Sequence, residues 1–265
     1  MSVISALADG CQRVLRAPVL VIGLWAAYVL VPSPVALVRI DSYVALVDAG
    51  AMDAAPALVS LLWSSSAAVA HAALVTFLLG GFMDRLARNR PTATFGFFGA
   101  CGMFAFRFAR LGLIAVPIYM GLFRWVHPML PTDHLASTIA LGLLVVAVHV
   151  LFDYAKVRMV VEDRRSAIGA LLASTRFITR NPGAALTLAI VNGSIAAGTW
   201  WLAATFTIGP SAAVYAYLLA RALLRLIFAA SQIALFQSRL AHAGYTARPQ
   251  ASWPESPAAE AVRPS

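Results

Sequence analysis

The 265-residue chain contains 61% hydrophobic and 12% charged residues and carries a formal net charge of +9. This composition excludes an ordinary soluble domain and favours an integral membrane protein. Basic residues are spread over the ends of apolar segments rather than gathered in one module, so we expect no nucleic-acid binding. The length admits about six spans of about 20 residues each and no sizeable soluble domain.

Six apolar segments bounded by charges, Pro or Gly predict six transmembrane helices. They cover about residues 17–38, 57–82, 104–123, 135–153, 184–206 and 212–236. The first is longer than the hydrophobic region of a cleaved export signal, so we interpret it as a retained span. The transmembrane domain is therefore predicted at 17–240. A short cytoplasmic segment, 1–16, precedes it, and a Pro-rich, disordered cytoplasmic tail, 241–265, follows it.

The distribution of basic residues predicts the orientation. The N-terminus and the second and fourth connections are rich in arginine, whereas the alternate connections carry only Arg39 and Arg124. By the positive-inside rule, the basic connections and both termini are cytoplasmic. Lys156 is the only lysine among 20 basic residues. This bias is typical of a GC-rich bacterial genome, so we expect the bacterial inner membrane.

Two cytoplasmic connections predict amphipathic helices that lie in the membrane interface. In "EDRRSAIGALLASTRFITRNPG", residues 162–183, Glu162 and Asp163 are expected at a helix N-terminus, and Asn181-Pro182-Gly183 at its end. The weakly polar stripe comprises Ile168, Leu171, Leu172, Thr175 and Ile178. The second connection, "RPTATFGFFGACGMFAFRFARLG" at 90–112, is rich in Phe and predicts a helix that runs into the third span.

The last span, "AYLLARALLRLIFAASQIALFQ" at 216–237, contains two arginines. Arg221 lies about 15 Å below the predicted outer end, near the middle of the bilayer. Helical spacing places one polar stripe on this span, formed by Tyr217, Arg221, Arg225 and Gln232. Two interpretations stay open: neighbouring acids neutralise the arginines, with Asp153 the candidate for Arg225, or the stripe binds an anion.

The fourth span ends in "HVLFDYAKVR", which places His149, Asp153 and Lys156 on one helical face. We expect an ion pair of Asp153 with Lys156 at the helix end, with a proton relay through His149 as the alternative. His71 is expected to be a hydrogen-bonded interior histidine. The HxxxD spacing resembles the intramembrane CAAX-type protease family, but the adjacent glutamates that this family needs are missing. We therefore reject that activity.

No motif for ATP hydrolysis, acyl transfer or zinc chemistry is present, so we expect no enzyme, no metal and no cofactor. Cys11 and Cys101 have no metal-binding spacing and are both predicted on the cytoplasmic side, so we expect no disulfide between them.

Three stretches carry a family resemblance: "GGFMDRLARNRPTATFGFFGACGMFAFRFARLGL", "FDYAKVRMVVEDRRSAIGALLASTRFITRNPG" and "LLARALLRLIFAASQIALFQ". They resemble an uncharacterised family of bacterial multi-pass membrane proteins over roughly residues 75–237. More distantly, they look like the membrane domain attached to some glycerophosphodiester phosphodiesterases, whose catalytic domain has no counterpart here. The resemblance implies an α-helical inner-membrane protein and supplies no substrate. The residues in its motifs are Asp153, Arg158, Asp163, Arg164, Arg221, Arg225 and Gln232.

The sequence thus predicts an all-α membrane bundle of about six transmembrane helices with two cytoplasmic interfacial helices. The favoured function is non-enzymatic binding or organisation of anionic membrane lipids at the inner leaflet. The alternative is a transporter or transporter subunit for an organic anion, in which Arg221, Arg225 and Gln232 line a cavity. An intramembrane enzyme that uses His149 and Asp153 is disfavoured. Protein partners are not predicted.

Overall fold

The computed structural model describes residues 2–30, 54–126, 129–130, 135–205 and 210–242. Of these residues 92% are helical, and none of them forms a strand. We number the α-helices in chain order: α1 Val3–Leu15, α2 Pro18–Leu30, α3 Ala54–Arg88, α4 Thr94–Gly121, α5 Leu135–Val161, α6 Ala167–Arg180, α7 Pro182–Thr205 and α8 Pro210–His242. Residues 243–265 of the predicted disordered tail and the end of the predicted first span, 31–38, lie outside the described residues, whereas 241–242 belong to α8.

Several helices are long and apolar enough to cross a membrane. Within the described ranges they are Val69–Arg88, Thr94–Val126, Ile139–Val161 and Tyr215–Leu240. The pair α1 and α2, bent by 81°, adds a fifth if the two helices count as one broken span. The expected all-helical architecture is therefore confirmed, and four to five helices could cross a membrane by their length and composition. α7 covers the predicted span 184–206 but is not among these helices.

The helix α8 is the centre of the bundle, because α1, α2, α3, α5 and α7 all pack against it. Its buried face repeats at helical spacing through Ala222, Leu226, Ala230 and Ile233, which are at most 2% exposed. Small alanines on this face let neighbouring helices approach closely, as in other membrane bundles. α8 therefore has one face for packing and another that is free to line a cavity.

The segment 1–16, predicted only as a short cytoplasmic stretch, contains the amphipathic helix α1. The Ser2 side chain accepts a hydrogen bond from the Ser5 backbone N–H at 3.2 Å and caps the helix. Ala6, Gly10 and Val14 are buried at four-residue intervals and form the face that meets α8. Because Gly10 has no side chain, α1 can lie directly on the backbone of α8 at Ser231.

The Phe-rich connection and the predicted third span form one continuous helix, α4, followed by a π-helical turn over Leu122–Val126. The expectation that the two would merge is therefore confirmed. Pro117 is the only proline within α4, and it lies near the end of the helix, so it does not break the helix earlier. Phe95 is 90% exposed, whereas Phe97 packs on Phe82 of α3 at 5.5 Å between ring centroids.

The helix α6 forms where the sequence predicts, but it begins later than expected. The Ser166 side chain caps it by accepting from the Gly169 backbone N–H at 3.1 Å. The prediction that Glu162 and Asp163 occupy its first turn is wrong, since the first turn contains no acid. Glu162 instead forms an ion pair with Arg164, and Asp163 with Arg107 of α4 at 2.5 Å. The two acids therefore pair with basic neighbours instead of interacting with the positive end of the helix dipole.

The face of α6 that packs into the bundle consists of Ala167, Ala170, Ala173, Ser174 and Phe177. Of the predicted apolar stripe, Ile168 and Leu172 lie on the outer surface, 64% and 62% exposed, whereas Leu171 and Ile178 are half-buried and pack against the core. The small residues allow close packing on α5.

Candidate functional site

A cavity of about 550 Å³ lies between α3, α5, α7 and α8. Tyr217, Arg221, Arg225 and Gln232, the four residues of the polar stripe predicted on the last span, all line it. The helical period predicted that these four residues share one face of the helix, and the structure shows that this face borders a cavity. Arg221 is exposed, Arg225 and Tyr217 are half-buried, and Gln232 is buried.

The polar residues predicted at the end of the fourth span line the same cavity. His149, Asp153 and Lys156 of α5 face α8 across it. From the sequence, the polar stripe of the last span and the polar residues of the fourth span were separate candidates, because residue spacing along one helix does not show which helices are neighbours. The structure therefore unites every predicted site residue in one place.

The carboxylate of Asp153 is the polar centre of the α5 side. Its Oδ1 lies 2.5 Å from Lys156 Nζ, and its Oδ2 lies 3.3 Å from His149 Nε2. The Gln232 amide donates to Oδ2 from 3.4 Å and so connects α8 to α5. The predicted ion pair of Asp153 with Lys156 is confirmed. The suggested pairing of Asp153 with Arg225 is wrong, because the lysine one turn away on the same helix takes that carboxylate.

The two arginines instead contact Tyr28 of α2, which sequence reasoning missed. Arg225 Nη1 donates to the Tyr28 hydroxyl at 3.1 Å, and the Arg221 guanidinium lies 5.7 Å from the centre of the Tyr28 ring. Tyr28 is 2% exposed and stacks on His71 at 5.6 Å. One fixed aromatic ring therefore positions both guanidinium groups, through a hydrogen bond and a cation–π contact.

Neither Arg221 nor Arg225 forms an ion pair with a carboxylate in the part of the chain that the structure describes. The neutralisation of both arginines by acids, one of the two open interpretations, is therefore not seen among these residues. A guanidinium inside an apolar bundle is costly without a counter-charge. Lys156 is matched by Asp153, so the arginines leave an excess of two positive charges at the cavity.

Apolar side chains complete the cavity. Its apolar walls are formed by Leu79 and Met83 of α3 and by Leu224 and Phe228 of α8. Ala196 of α7 also borders it. The helices α5 and α7 have few contacts with each other, although each packs on α8. The cavity therefore combines cationic groups with an apolar lining, and α5 and α7, which both border it, contact each other less than either contacts α8.

His149 has a second contact outside the Asp153 cluster, and the nearby Asp84 has a partner on its own helix. His149 Nδ1 lies 3.4 Å from the Tyr119 hydroxyl of α4, and Asp84 forms an ion pair with Arg88 at 2.9 Å. Over the described ranges, no three His, Cys, Asp or Glu side chains lie close enough together to hold a metal ion. Cys11 and Cys101 are free thiols.

This arrangement is chemically suited to an anion with an apolar portion. Planar guanidinium groups hold phosphate or carboxylate oxygens with paired hydrogen bonds. The size of the cavity lies within the range of sites that hold a small molecule or a lipid headgroup. Comparison with known proteins adds no assignment, because no family model, curated protein or solved structure matches the chain. The resemblance drawn from its motifs stays a prediction.

Proposed function

We propose that this chain is a non-enzymatic, multi-pass protein of the bacterial inner membrane that binds anionic lipid at the inner leaflet. The observation that carries the proposal is the pair Arg221 and Arg225, two guanidinium groups with no carboxylate partner among the described residues, at a cavity with apolar walls. An anionic headgroup would supply the missing counter-charge.

The proposal includes six spans, with both termini and the basic connections on the cytoplasmic side. It adds α2 and α7 to the four long apolar helices, and it places α1, α6 and the start of α4 at the cytoplasmic interface. The exposed Ile168 and Leu172 of α6 suit contact with acyl chains at that depth. In this orientation Lys156 lies about 8 Å from the inner end of its span, within reach of an inner-leaflet headgroup.

The sparse contact between α5 and α7 favours a lipid over a soluble ligand. A lipid enters from the side of a bundle and keeps its chains in the bilayer, whereas a solute needs a path from water. His149 of α5, whose side chain is 65% exposed, and Ala196 of α7 both line the cavity that Arg225 borders. We propose that the headgroup enters between these two helices.

The depth of Arg221 favours a second candidate. Counted from about residue 212, the predicted outer end of its span, Arg221 is about 15 Å deep and Arg225 about 20 Å deep. Cationic groups thus extend from the middle of the membrane toward its inner side. A transporter or transporter subunit for an organic anion would need such an extended site.

The test is native mass spectrometry of protein released from its own membranes in mild detergent. We expect wild-type protein to retain an anionic lipid adduct that Arg221→Gln/Arg225→Gln loses. The matched control is Arg16→Gln/Arg90→Gln, which removes the same charge at two exposed positions outside the cavity and keeps the adduct. An adduct identical in all three proteins, or one seen in none, contradicts the proposal. A soluble organic anion as the retained adduct supports the second candidate instead.

A further inference from the structure

We infer that the ligand of this cavity is a lipid phosphomonoester, a headgroup that ends in a terminal phosphate and carries close to two negative charges. This inference rests on the proposed function and names the ligand class. The common anionic phospholipids of membranes are mostly phosphodiesters with a single charge, so the distinction is a chemical one that an experiment can measure.

The first step is the charge of the cavity. Asp153 and Lys156 form an ion pair at 2.5 Å and cancel each other. Arg221 and Arg225 then leave two positive charges in surroundings lined by Leu79, Leu224 and Phe228. Uncompensated charge is costly where water is scarce, so the ligand that fits best brings two negative charges. A phosphomonoester carries about −1.5 to −2 near neutral pH, whereas a phosphodiester carries one charge.

The second step is the number of hydrogen-bond donors. Arg225 donates one N–H to the Tyr28 hydroxyl, and the Arg221 guanidinium lies over the ring of the same tyrosine. Most N–H groups of both guanidiniums therefore have no acceptor among the described residues. Side chains one helical turn apart lie about 5–6 Å apart at Cβ, which lets both reach one phosphate. A terminal phosphate offers three unesterified oxygens to these two donors, and a phosphodiester offers two.

The third step separates a lipid from free phosphate, since both present the same terminal group. The walls contributed by Met83 and Phe228 offer no polar partner to a hydrated ion, but they suit methylene groups next to the phosphate. Burial of apolar ligand surface adds affinity that inorganic phosphate lacks. Because α5 and α7 contact each other less than either contacts α8, we place the acyl chains between these two helices, where they stay in the bilayer.

The experiment uses the full-length protein after delipidation in detergent and measures its thermal unfolding midpoint against ligand concentration. The probes are dioleoyl phosphatidate, dioleoyl phosphatidylglycerol and inorganic phosphate. For wild type we expect phosphatidate to bind about tenfold more tightly than phosphatidylglycerol, with inorganic phosphate weaker than either. Arg221→Gln lowers the excess charge to one, so we expect it to reduce the preference for phosphatidate to about twofold or less.

Three further variants keep the result interpretable. Arg221→Lys retains the charge and should retain most of the preference. Arg225→Gln also lowers the excess charge to one and replaces Arg221→Gln as the informative protein if that variant fails to fold. Arg16→Gln, at an exposed position outside the cavity, should bind all three probes like wild type.

Each other outcome overturns a stated part of the account. Equal binding of phosphatidate and phosphatidylglycerol, both lost in Arg221→Gln/Arg225→Gln, overturns the phosphomonoester inference and leaves the proposed function standing. Inorganic phosphate that binds as well as phosphatidate overturns the lipid assignment. Binding of neither lipid by the wild-type protein overturns the proposed function itself.

Discussion

Arg13 in α1 and Arg225 in α8 are both half-buried arginines within an apolar helical bundle, yet their surroundings differ. Arg13 forms an ion pair with Asp9 at 2.9 Å and donates to the Leu86 carbonyl and the Gln237 side chain. Among the described residues, Arg225 has one hydrogen bond, to Tyr28, and it borders a cavity. The protein's own groups satisfy Arg13, which joins helices, whereas most donors of Arg225 have no acceptor among the described residues, as the proposed ligand site requires.

The largest expected effect comes from Arg13→Met. This change leaves Asp9 without its counter-charge and the Leu86 carbonyl and Gln237 without a donor. We expect the free energy of unfolding to fall by about 2–4 kcal/mol, because several partly buried polar groups lose their partner together. Unfolding in mixed detergent–SDS micelles measures this loss. A change under about 0.5 kcal/mol would show that Arg13 is not a structural arginine.

The second prediction tests the contact that places α1 on α8. A Cβ atom at Gly10 would lie 2.8 Å from the backbone nitrogen of Ser231, which cannot move aside without shifting α8. We expect Gly10→Ala to lower the free energy of unfolding by about 1–3 kcal/mol. Gly99→Ala is the matched control: nothing lies within 4 Å of its new methyl group, so the same substitution should be neutral or slightly stabilising. Equal effects at the two sites would contradict the close approach.

The third prediction concerns the cavity. Asp153→Asn removes the carboxylate that cancels Lys156, so the excess positive charge should increase by one. We expect anionic lipid to bind about tenfold more tightly, because the added charge acts in poorly hydrated surroundings. A lipid titration followed by native mass spectrometry measures the change. Asp163→Asn, which loses an exposed acid paired with Arg107, serves as the control and should leave binding unchanged.

The smallest effect is expected at the start of α6. Ser166→Ala removes the side-chain oxygen that accepts the Gly169 N–H at 3.1 Å. Loss of such a cap costs about 1 kcal/mol. Hydrogen exchange should show faster opening in the first turn of α6 with no change in anionic lipid binding. A variant that loses lipid binding would mean that α6 belongs to the site.

The sequence predicted most of the helices because each needs only local information. Apolar length defined the spans, and the helical period collected Tyr217, Arg221, Arg225 and Gln232 into one stripe that the structure places along one cavity. The helix α1 was missed, although Ser2 as a cap and Ala6, Gly10 and Val14 at four-residue spacing are the signals that would have found it.

The contacts of the site depend on which helices are neighbours, and local patterns in the sequence do not show this. Tyr28 lies 197 positions from Arg225, and no periodic pattern links α2 to α8. Asp153 had two plausible partners: Lys156 on its own helix and Arg225 on another. Only the arrangement of the helices shows that the local one takes the carboxylate. The same arrangement leaves both arginines without an acid among the described residues.

The most direct test of the central claim compares Arg13→Met with Arg225→Met in delipidated and in lipid-loaded protein. Without lipid, we expect Arg13→Met to destabilise the bundle by several kcal/mol and Arg225→Met to change stability by less than about 1 kcal/mol. Added anionic lipid should stabilise wild type and Arg13→Met but not Arg225→Met. If Arg225→Met destabilises the lipid-free protein as strongly as Arg13→Met, and lipid stabilises it like wild type, then Arg225 is a structural arginine and the account is contradicted.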